Sequence, residues 1–410
     1  MPRAELKNQL NAAVGQSRVT LVQGLPRVGR TEAIKRWAGG RPDAMIQSFG
    51  SGEDIAPVMV FDHFRAEQVD AFVAHFRVAE AAEARTRFLI VPTDLLTAER
   101  VRDALAGSVL PFDIAPLQLD DFLAEQSVLS AAGGPSAALV AESRPTNSPA
   151  PDPDQHWLRG GLPESLSADG DAASLAWRRG MLETLLARDY TSWDVPRASR
   201  LPEILRWVAN QNGGELDDTS CPVAKRADLR SALYVLERLG VTRRLPNFPA
   251  GSSSSLGKKP KLYIRDSGLL HAMLGIETVA QLRDHDDVGD SWEGYAIEAL
   301  ILAGADQCSA QFYRVKGSEG EGADEIDLVL DFVSRGAGRV AIECKLSPDQ
   351  GARAGFYRAS EEIGVIDRFV VHSGTTASLD EVVHRLDLPS AVRRIQQIAA
   401  GSYTKESAWL

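Results

Sequence analysis

Residues 19–31 read Val-Thr-Leu-Val-Gln-Gly-Leu-Pro-Arg-Val-Gly-Arg-Thr, an apolar run that leads into a glycine-rich loop. The next residues, TEAIKRWAG (31–39), have apolar positions at helical spacing. A loop of this kind between a buried strand and a helix presents backbone N–H groups to bound phosphates. Its spacing is that of GxxxxGK[ST], with Arg30 in place of the usual lysine. The segment therefore predicts a phosphate-binding loop on an α/β sheet.

Two more apolar runs, VMVF (58–61) and RFLIV (87–91), have the length and β-branching of buried parallel strands. The first ends at Asp62, an acidic residue suited to Mg²⁺, and His63 follows where a hydrolytic enzyme of this kind has glutamate. The second ends at Pro92, so Thr93 would have to be the polar residue at its tip.

These features predict a site for ATP or ADP in which hydrolysis is weak or absent. Arginine keeps the positive charge of lysine but not its compact geometry, and phosphoryl transfer requires every group to be positioned. The alternative is an α/β domain whose loop no longer binds nucleotide. The predicted nucleotide-binding residues are Gly24, Gly29, Arg30, Thr31 and Asp62.

Composition limits the classes of protein that the chain can belong to. Its 410 residues are 44% hydrophobic and 25% charged, which indicates several globular domains and excludes a wholly disordered or coiled-coil chain. The cysteines, Cys221, Cys308 and Cys344, are far apart, which argues against a disulfide framework and favours the cytoplasm. No apolar run approaches the roughly 20 residues that span a bilayer, so no membrane partner is expected.

The middle of the chain is basic although the net charge is −11. Residues 178–265 contain 16 Lys+Arg and 9 Asp+Glu, and their pattern predicts helices followed by a hairpin, as in a winged helix. DNA is therefore the expected partner. The alternative is a basic surface that docks on acidic groups of the same chain. The candidate DNA-binding residues are Lys225, Arg226, Arg230, Arg243, Arg244, Lys258 and Lys259, with Lys261 on the same hairpin.

A second chemical motif lies near the C-terminus. Asp327 lies in EIDLVL, and Glu343 and Lys345 lie two residues apart in AIECKL, which places them on one face of a strand. This is the D…ExK arrangement of restriction-like nucleases. Asp327 and Glu343 are the predicted ligands of Mg²⁺ or Mn²⁺, Glu293 is a further carboxylate, and Lys345 would position the attacking water. The alternative is a partly buried ion-pair network.

The order of segments resembles prokaryotic AAA-type ATPases that carry a C-terminal domain of unknown function with a nuclease-like, PD-(D/E)xK fold. The resemblance covers nearly the whole chain. Besides loop 24–31 and Asp62, it rests on these motifs: LRGGLPES (158–165), LLARDY (185–190), PKLYIRDSGLLHAMLG (260–275), GDSWEGYAIEAL (289–300), FYR with EIDLVL (312–330) and AIECKLS (341–347). The chain departs from that family at Arg30, at His63, at Pro92-Thr93 and at Ser108, where relatives usually carry arginine. Four departures at one site make it resemble a pseudo-ATPase.

The predicted fold class is α/β multidomain, with an AAA-like P-loop NTPase sheet, a winged-helix middle and a restriction-endonuclease-like C-terminal domain. The predicted divisions are 1–129 for the P-loop core, 130–154 for a linker, 155–200 for a helical lid, 201–265 for the winged helix, 266–390 for the nuclease-like domain and 391–410 for a tail. The predicted function is nucleotide binding combined with metal-dependent DNA cleavage. The alternative is a non-hydrolysing scaffold or pseudoenzyme that binds DNA, a protein partner or further copies of itself.

Overall fold

The computed structural model describes residues 6–50, 56–121, 152–186, 200–249, 259–315, 323–378, 380 and 382–402. Its first sheet has five parallel strands in the order β2-β3-β4-β1-β5. The strands are β1 (Val19–Gln23), β2 (Ala44–Gln47), β3 (Val58–Phe64), β4 (Arg87–Pro92) and β5 (Val109–Asp113). The accompanying helices are α1 (Leu6–Gln16), α2 (Arg30–Gly39), α3 (Val69–Ala81) and α4 (Leu95–Ala104). The predicted parallel α/β sheet is confirmed.

The two faces of this sheet pack differently. One face forms an aromatic core in which Phe72 of α3 meets Phe61 and Phe88 edge to face. The other face, through residues such as Val22 and Val60, packs in one apolar cluster with the helices of the middle segment. The glycine-rich loop therefore lies where the sheet meets the middle segment.

The middle segment is helical and ends in a hairpin. Its helices are α5 (Pro153–Arg159), α6 (Pro163–Leu166), α7 (Asp171–Thr184), α8 (Leu201–Ala209) and α9 (Arg226–Arg238). The chain leaves α9 through Gly240, whose φ of +77° suits glycine, and then forms β6 (Thr242–Leu245), antiparallel to β7 (Lys261–Ile264). Helices followed by a basic hairpin occur as predicted, and their use as a winged helix stays a prediction.

The second large sheet is mixed, in the order β12-β11-β10-β9-β8. Strands β8, β9 and β10 are antiparallel, whereas β10, β11 and β12 are parallel. The predicted order of helix, three strands, helix and strand is present. The elements are α10 (Ser267–Leu274), α11 (Val279–Arg283), α12 (Val288–Gly304), β8 (Ser309–Val315), β9 (Asp324–Asp331), β10 (Arg339–Lys345), α13 (Ala354–Glu362), β11 (Asp367–His372), β12 (His384–Asp387) and α14 (Leu388–Ala399).

Helices and apolar cores cross several of the predicted boundaries. The supposed tail begins inside α14, which packs on α12 and buries Ala391 and Ile395 in the C-terminal core. The divisions at 155 and 266 do not separate packing units either. Trp157 of α5 belongs to the C-terminal core, whereas Leu269 of α10 belongs to the core that includes the first sheet. The core to which each helix belongs depends on packing against elements far away in the chain, and the periodicity of the sequence does not reveal that packing.

The predicted linker and the predicted tail fall partly outside the described residues. Of the linker, residues 130–151 lie outside the described ranges, and Pro153 already begins α5. Residues 403–410 of the predicted tail also lie outside the described ranges. None of the helices in the described ranges combines the length and apolar character needed to cross a bilayer.

Candidate functional site

The loop after β1 has the backbone of a phosphate-binding loop. Gly24 has φ +135°, and a Cβ there would lie 2.3 Å from the carbonyl oxygen of Ile114. Gly29 has φ +85° and is the last residue before α2, whose first turn starts at Arg30. The helix N-terminus therefore opens towards the loop, where its N–H groups and the helix dipole favour an anion.

Thr31 and Asp62 meet at the base of this loop, as the sequence predicts. The Thr31 hydroxyl donates a hydrogen bond to Asp62 Oδ1 at 3.0 Å. His63 lies in a left-handed conformation with φ +54°, where the register of β3 with β4 shifts. Its N–H also donates to Asp62 Oδ1 at 3.0 Å, and its ring Nδ1 lies 3.1 Å from Oδ2. His63 thus contacts Asp62, and it does not supply the carboxylate that a glutamate at this position would supply.

A cleft of about 970 Å³ opens above these residues. The sheet forms one wall, and α6 of the middle segment forms part of the other through Pro163 and Glu164. Arg27 of the loop crosses the cleft to form an ion pair with Glu164 at 2.8 Å. Thr93 lines the cleft, but its hydroxyl bonds to the Phe64 carbonyl and to the Asp94 carboxylate. The cleft is large enough for a nucleotide and is bounded by the middle segment.

The oxygen donors of this cleft fit Mg²⁺. The Asp62 carboxylate and the Thr31 hydroxyl are hard oxygen ligands on one side of a loop that can hold phosphates. A nucleotide would supply the remaining oxygens. All five predicted nucleotide-binding residues line the cleft.

The second predicted site also assembles. Glu293, Asp327, Glu343 and Lys345 line one polar cleft of about 300 Å³ between α12 and the second sheet. Asp327 accepts a hydrogen bond from the Cys344 N–H at 2.9 Å, and Lys345 Nζ lies 2.5 Å from Glu343 Oε1.

The two central carboxyls of this cleft are strongly perturbed. Burial and the neighbouring Glu293 raise the pKa of Asp327 to about 7. Burial and Asp327 likewise raise the pKa of Glu343 to about 7. Perturbed carboxyls in a cleft are typical of functional sites, although structural ion-pair networks perturb the pKa as well.

Lys261 occupies the middle of this acidic cluster. Its side chain is only 6% exposed, and its Nζ lies 3.0 Å from Glu293, 3.1 Å from Glu325 and 3.8 Å from Asp327. Burial opposes the charge, but the carboxylates outweigh it and raise the pKa of Lys261 above its ordinary value. The sequence predicts Lys261 on a DNA-contacting hairpin, but its ammonium group is buried beside Glu293 and Glu325 and does not face solvent. The alternation of Lys261, Tyr263 and Arg265 with apolar residues indicates that they share one face, but it does not indicate whether that face is buried.

The carboxylates of this cleft do not fit a divalent metal as they are arranged. An ammonium group already lies about 3 Å from two of them, where it repels a second cation. Within the described ranges, no group of three or more His, Cys, Asp or Glu side chains is arranged to hold a metal ion. The structure therefore does not support the predicted Mg²⁺ or Mn²⁺ site in this arrangement, because Asp327 lies 3.8 Å from the Lys261 ammonium and Glu343 is paired with Lys345.

Most of the predicted DNA-binding cations have acidic partners within the chain. Arg226 and Arg230 share Asp218, Arg244 pairs with Glu237, and Lys259 Nζ lies 2.6 Å from Asp217. Arg243 donates to the buried Glu298 at 2.6 Å. Lys225 is exposed at the start of α9, and Lys258 lies outside the described residues. This arrangement agrees with the alternative of docking on the same chain, and DNA contact stays a prediction.

Arg265, which follows β7, connects the two sheets. Its guanidinium donates to Asp113 at the end of β5 and to Glu298 on α12, each at 2.8 Å. Glu298 also binds Arg243, so a buried carboxylate holds two guanidinium groups. Burial alone would raise the pKa of Glu298, but the two guanidinium groups lower it to about 2. Arg265 therefore links the first sheet to α12, the helix that also carries Glu293 of the acidic cleft.

Parts of the chain are similar in sequence to a protein family and to known proteins. A family model described as "Domain of unknown function (DUF8612)" matches residues 151–280. Uncharacterized protein Rv2008c of Mycobacterium tuberculosis (strain ATCC 25618 / H37Rv) is 35% identical over 153 residues, which are 36% of this chain and 34% of that protein. Uncharacterized protein Mb2031c of Mycobacterium bovis (strain ATCC BAA-935 / AF2122/97) has the same identity and coverage. The chain thus spans about a third of the length of the curated relatives it matches.

Solved structures give lower similarity. The Walker-type ATPase PABY2304 of Pyrococcus abyssi is 13% identical with a TM-score of 0.42, covering 67% of this chain and 95% of that one. The tetratricopeptide-repeat STAND protein PH0952 of Pyrococcus horikoshii is 12% identical with a TM-score of 0.25, covering 73% of this chain and 46% of that one. The strand order, the glycine-rich loop and the Thr31–Asp62 contact independently give the N-terminal part of this chain the architecture of a P-loop ATPase domain.

Proposed function

We propose that the protein binds ATP or ADP with Mg²⁺ at loop 24–31 and hydrolyses ATP slowly or not at all. The observation that carries this proposal is the contact between Thr31 and Asp62 at the base of a large cleft. Loop N–H groups and the first turn of α2 would bind the phosphates, and Thr31 and Asp62 would hold the metal.

Slow hydrolysis follows from the residue next to Asp62. A glutamate in this place would orient water and accept its proton, whereas the His63 ring contacts the Asp62 carboxylate instead. Phosphoryl transfer depends almost wholly on positioning and charge, so losing the water-orienting group affects turnover more than binding. Nucleotide then serves to change the arrangement of the domains or the oligomeric state.

Titration with a fluorescent ATP analogue in the presence of Mg²⁺ tests nucleotide binding. Thr31→Ala should weaken binding at least about tenfold, since it removes a metal ligand and a partner of Asp62. Thr184→Ala, at an exposed threonine of α7, is the matched control and should bind like the wild type. Arg30→Lys with His63→Glu should increase ATP turnover. Absence of saturable binding by the wild-type protein would refute the proposal.

The second candidate function is phosphodiester cleavage of DNA by the C-terminal sheet. It is favoured by the convergence of Glu293, Asp327, Glu343 and Lys345 on one cleft, on elements in the order expected of a nuclease-like fold. Cleavage would require the carboxylates to be released from Lys261. The expected substrate is DNA, which the basic middle segment would contact.

A nuclease assay on linear, nicked and branched DNA, with and without ATP, tests this second function. Lys345→Ala should abolish cleavage and leave DNA affinity nearly unchanged, because Lys345 lies beside Glu343 in the cleft. Equal cleavage by the wild type and the variant would contradict the assignment. If DNA is bound but not cleaved, the nucleotide-binding scaffold is the better description.

A further inference from the structure

Lys261 is the most deeply buried cation of the acidic cleft. Transfer of an ammonium group from water into a protein costs several kcal/mol unless opposite charges compensate. Glu293 and Glu325 compensate it at 3.0 and 3.1 Å, and Asp327 lies at 3.8 Å. The ammonium thus lies among three carboxylates, at the place where these groups would otherwise balance the charge of a divalent cation.

The backbone at Lys261 is held by contacts of its neighbours on and after β7, and its ammonium group is held by the carboxylates. Tyr263, on the same face of β7, donates its hydroxyl to Glu293 Oε1 at 2.6 Å. Leu262 and Ile264 point the other way into the core that includes the first sheet. Arg265 binds Glu298 on α12 and Asp113 at the end of β5. Strand β7 is therefore held at several points along its length, and Lys261 is held with it.

A metal and this ammonium cannot share the cluster. Mg²⁺ binds its oxygen ligands directly, at about 2.0–2.1 Å, so a metal held by Glu293, Glu325 or Asp327 would need carboxylate oxygens that Lys261 now contacts. Two cations within a few ångströms of each other in a buried site repel strongly. The second lysine of the cleft, Lys345, contacts Glu343 and adds positive charge to the same cavity.

We propose that Lys261 is a tethered cation that occupies the carboxylate cluster of Glu293, Glu325 and Asp327 and excludes divalent metal from it. This inference goes beyond nucleotide binding and does not require the cleft to cleave DNA.

Binding of Mn²⁺ to the nucleotide-free, full-length protein tests the proposal by calorimetry and electron paramagnetic resonance. Lys261→Met keeps the length of the side chain and removes its charge, so it should bind Mn²⁺ at least about tenfold more tightly than the wild type. Lys259→Met, on the same hairpin but paired with the partly exposed Asp217, is the matched control and should behave like the wild type. The gain should disappear in Lys261→Met with Asp327→Asn.

Equal Mn²⁺ affinity of the wild type and Lys261→Met would overturn the proposal, as would a gain that survives Asp327→Asn. Amine modification of the wild-type protein by acetic anhydride, read by mass spectrometry, gives a test that needs no variant. Lys261 should stay unmodified while Lys259 reacts, with or without millimolar Mn²⁺. Modification of Lys261 at the rate of Lys259, or its acceleration by Mn²⁺, would show that the ammonium does not hold the site.

Discussion

Glu298→Gln should destabilise the protein by about 3 kcal/mol at neutral pH. The Glu298 side chain is 7% exposed and binds Arg243 and Arg265, and Arg265 also binds Asp113 at the end of β5 in the first sheet. The fall in its pKa from 4.5 to about 2 on folding corresponds to about 3 kcal/mol, since one pH unit is about 1.4 kcal/mol. Removing one partner of a buried pair costs a similar amount.

The pH dependence has a definite sign. Between pH 4.5 and about 2 the unfolded chain protonates this carboxyl while the folded protein keeps it ionised. The stabilisation is therefore fully present above pH 4.5 and is lost as the pH falls towards 2. The difference between wild type and Glu298→Gln should shrink over that range.

Urea unfolding followed by circular dichroism at a series of pH values measures this difference. Glu237→Gln is the control, because its pair with Arg244 is partly exposed and should contribute less than about 1 kcal/mol. If Glu298→Gln costs no more than Glu237→Gln at pH 7, or costs the same at pH 3, the guanidinium pairs do not stabilise the connection between the sheets.

Three further predictions concern the loop, a buried histidine and DNA. Gly24→Ala should lower the free energy of unfolding by about 2 kcal/mol or more, because the φ of Gly24 is +135° and a Cβ there would meet the Ile114 carbonyl. Gly15→Ala, where a Cβ would meet no neighbouring atom, should raise the free energy of unfolding by about 0.5–1 kcal/mol. Melting temperatures of the two variants measure both changes. Burial lowers the pKa of His156 from 6.5 to about 4, so stability should fall as the pH drops through that window, and the wild-type slope should exceed that of His156→Gln in urea titrations. Lys225→Glu should weaken DNA binding and reduce its salt dependence by about one counterion or more. Lys35→Glu, at an exposed lysine of α2 outside the basic middle segment, should change neither. Equal slopes for the two variants would exclude Lys225 from contact.

Local sequence was sufficient for most elements of the fold. The strands around 19–23, 58–64 and 87–92, the helix from 226 and the hairpin lie where periodicity and turn residues predict them. Spacing was also sufficient to bring Thr31 to Asp62, since a loop after one parallel strand and the end of another meet at the same edge of a sheet. The convergence of Asp327, Glu343 and Lys345 follows in the same way from alternation along neighbouring strands.

Sequence patterns did not predict which charged side chains form ion pairs with each other. A basic hairpin looks alike whether its cations face solvent or another element, and only packing against α12 shows that Lys261 and Arg265 turn inward to carboxylates. Packing likewise makes α14 a core helix instead of a tail. The sequence by itself determined the elements and the two groups of candidate residues, because these depend on local periodicity and spacing. Only the tertiary structure decided which cation occupies the acidic cleft, because that depends on contacts between residues far apart in the chain.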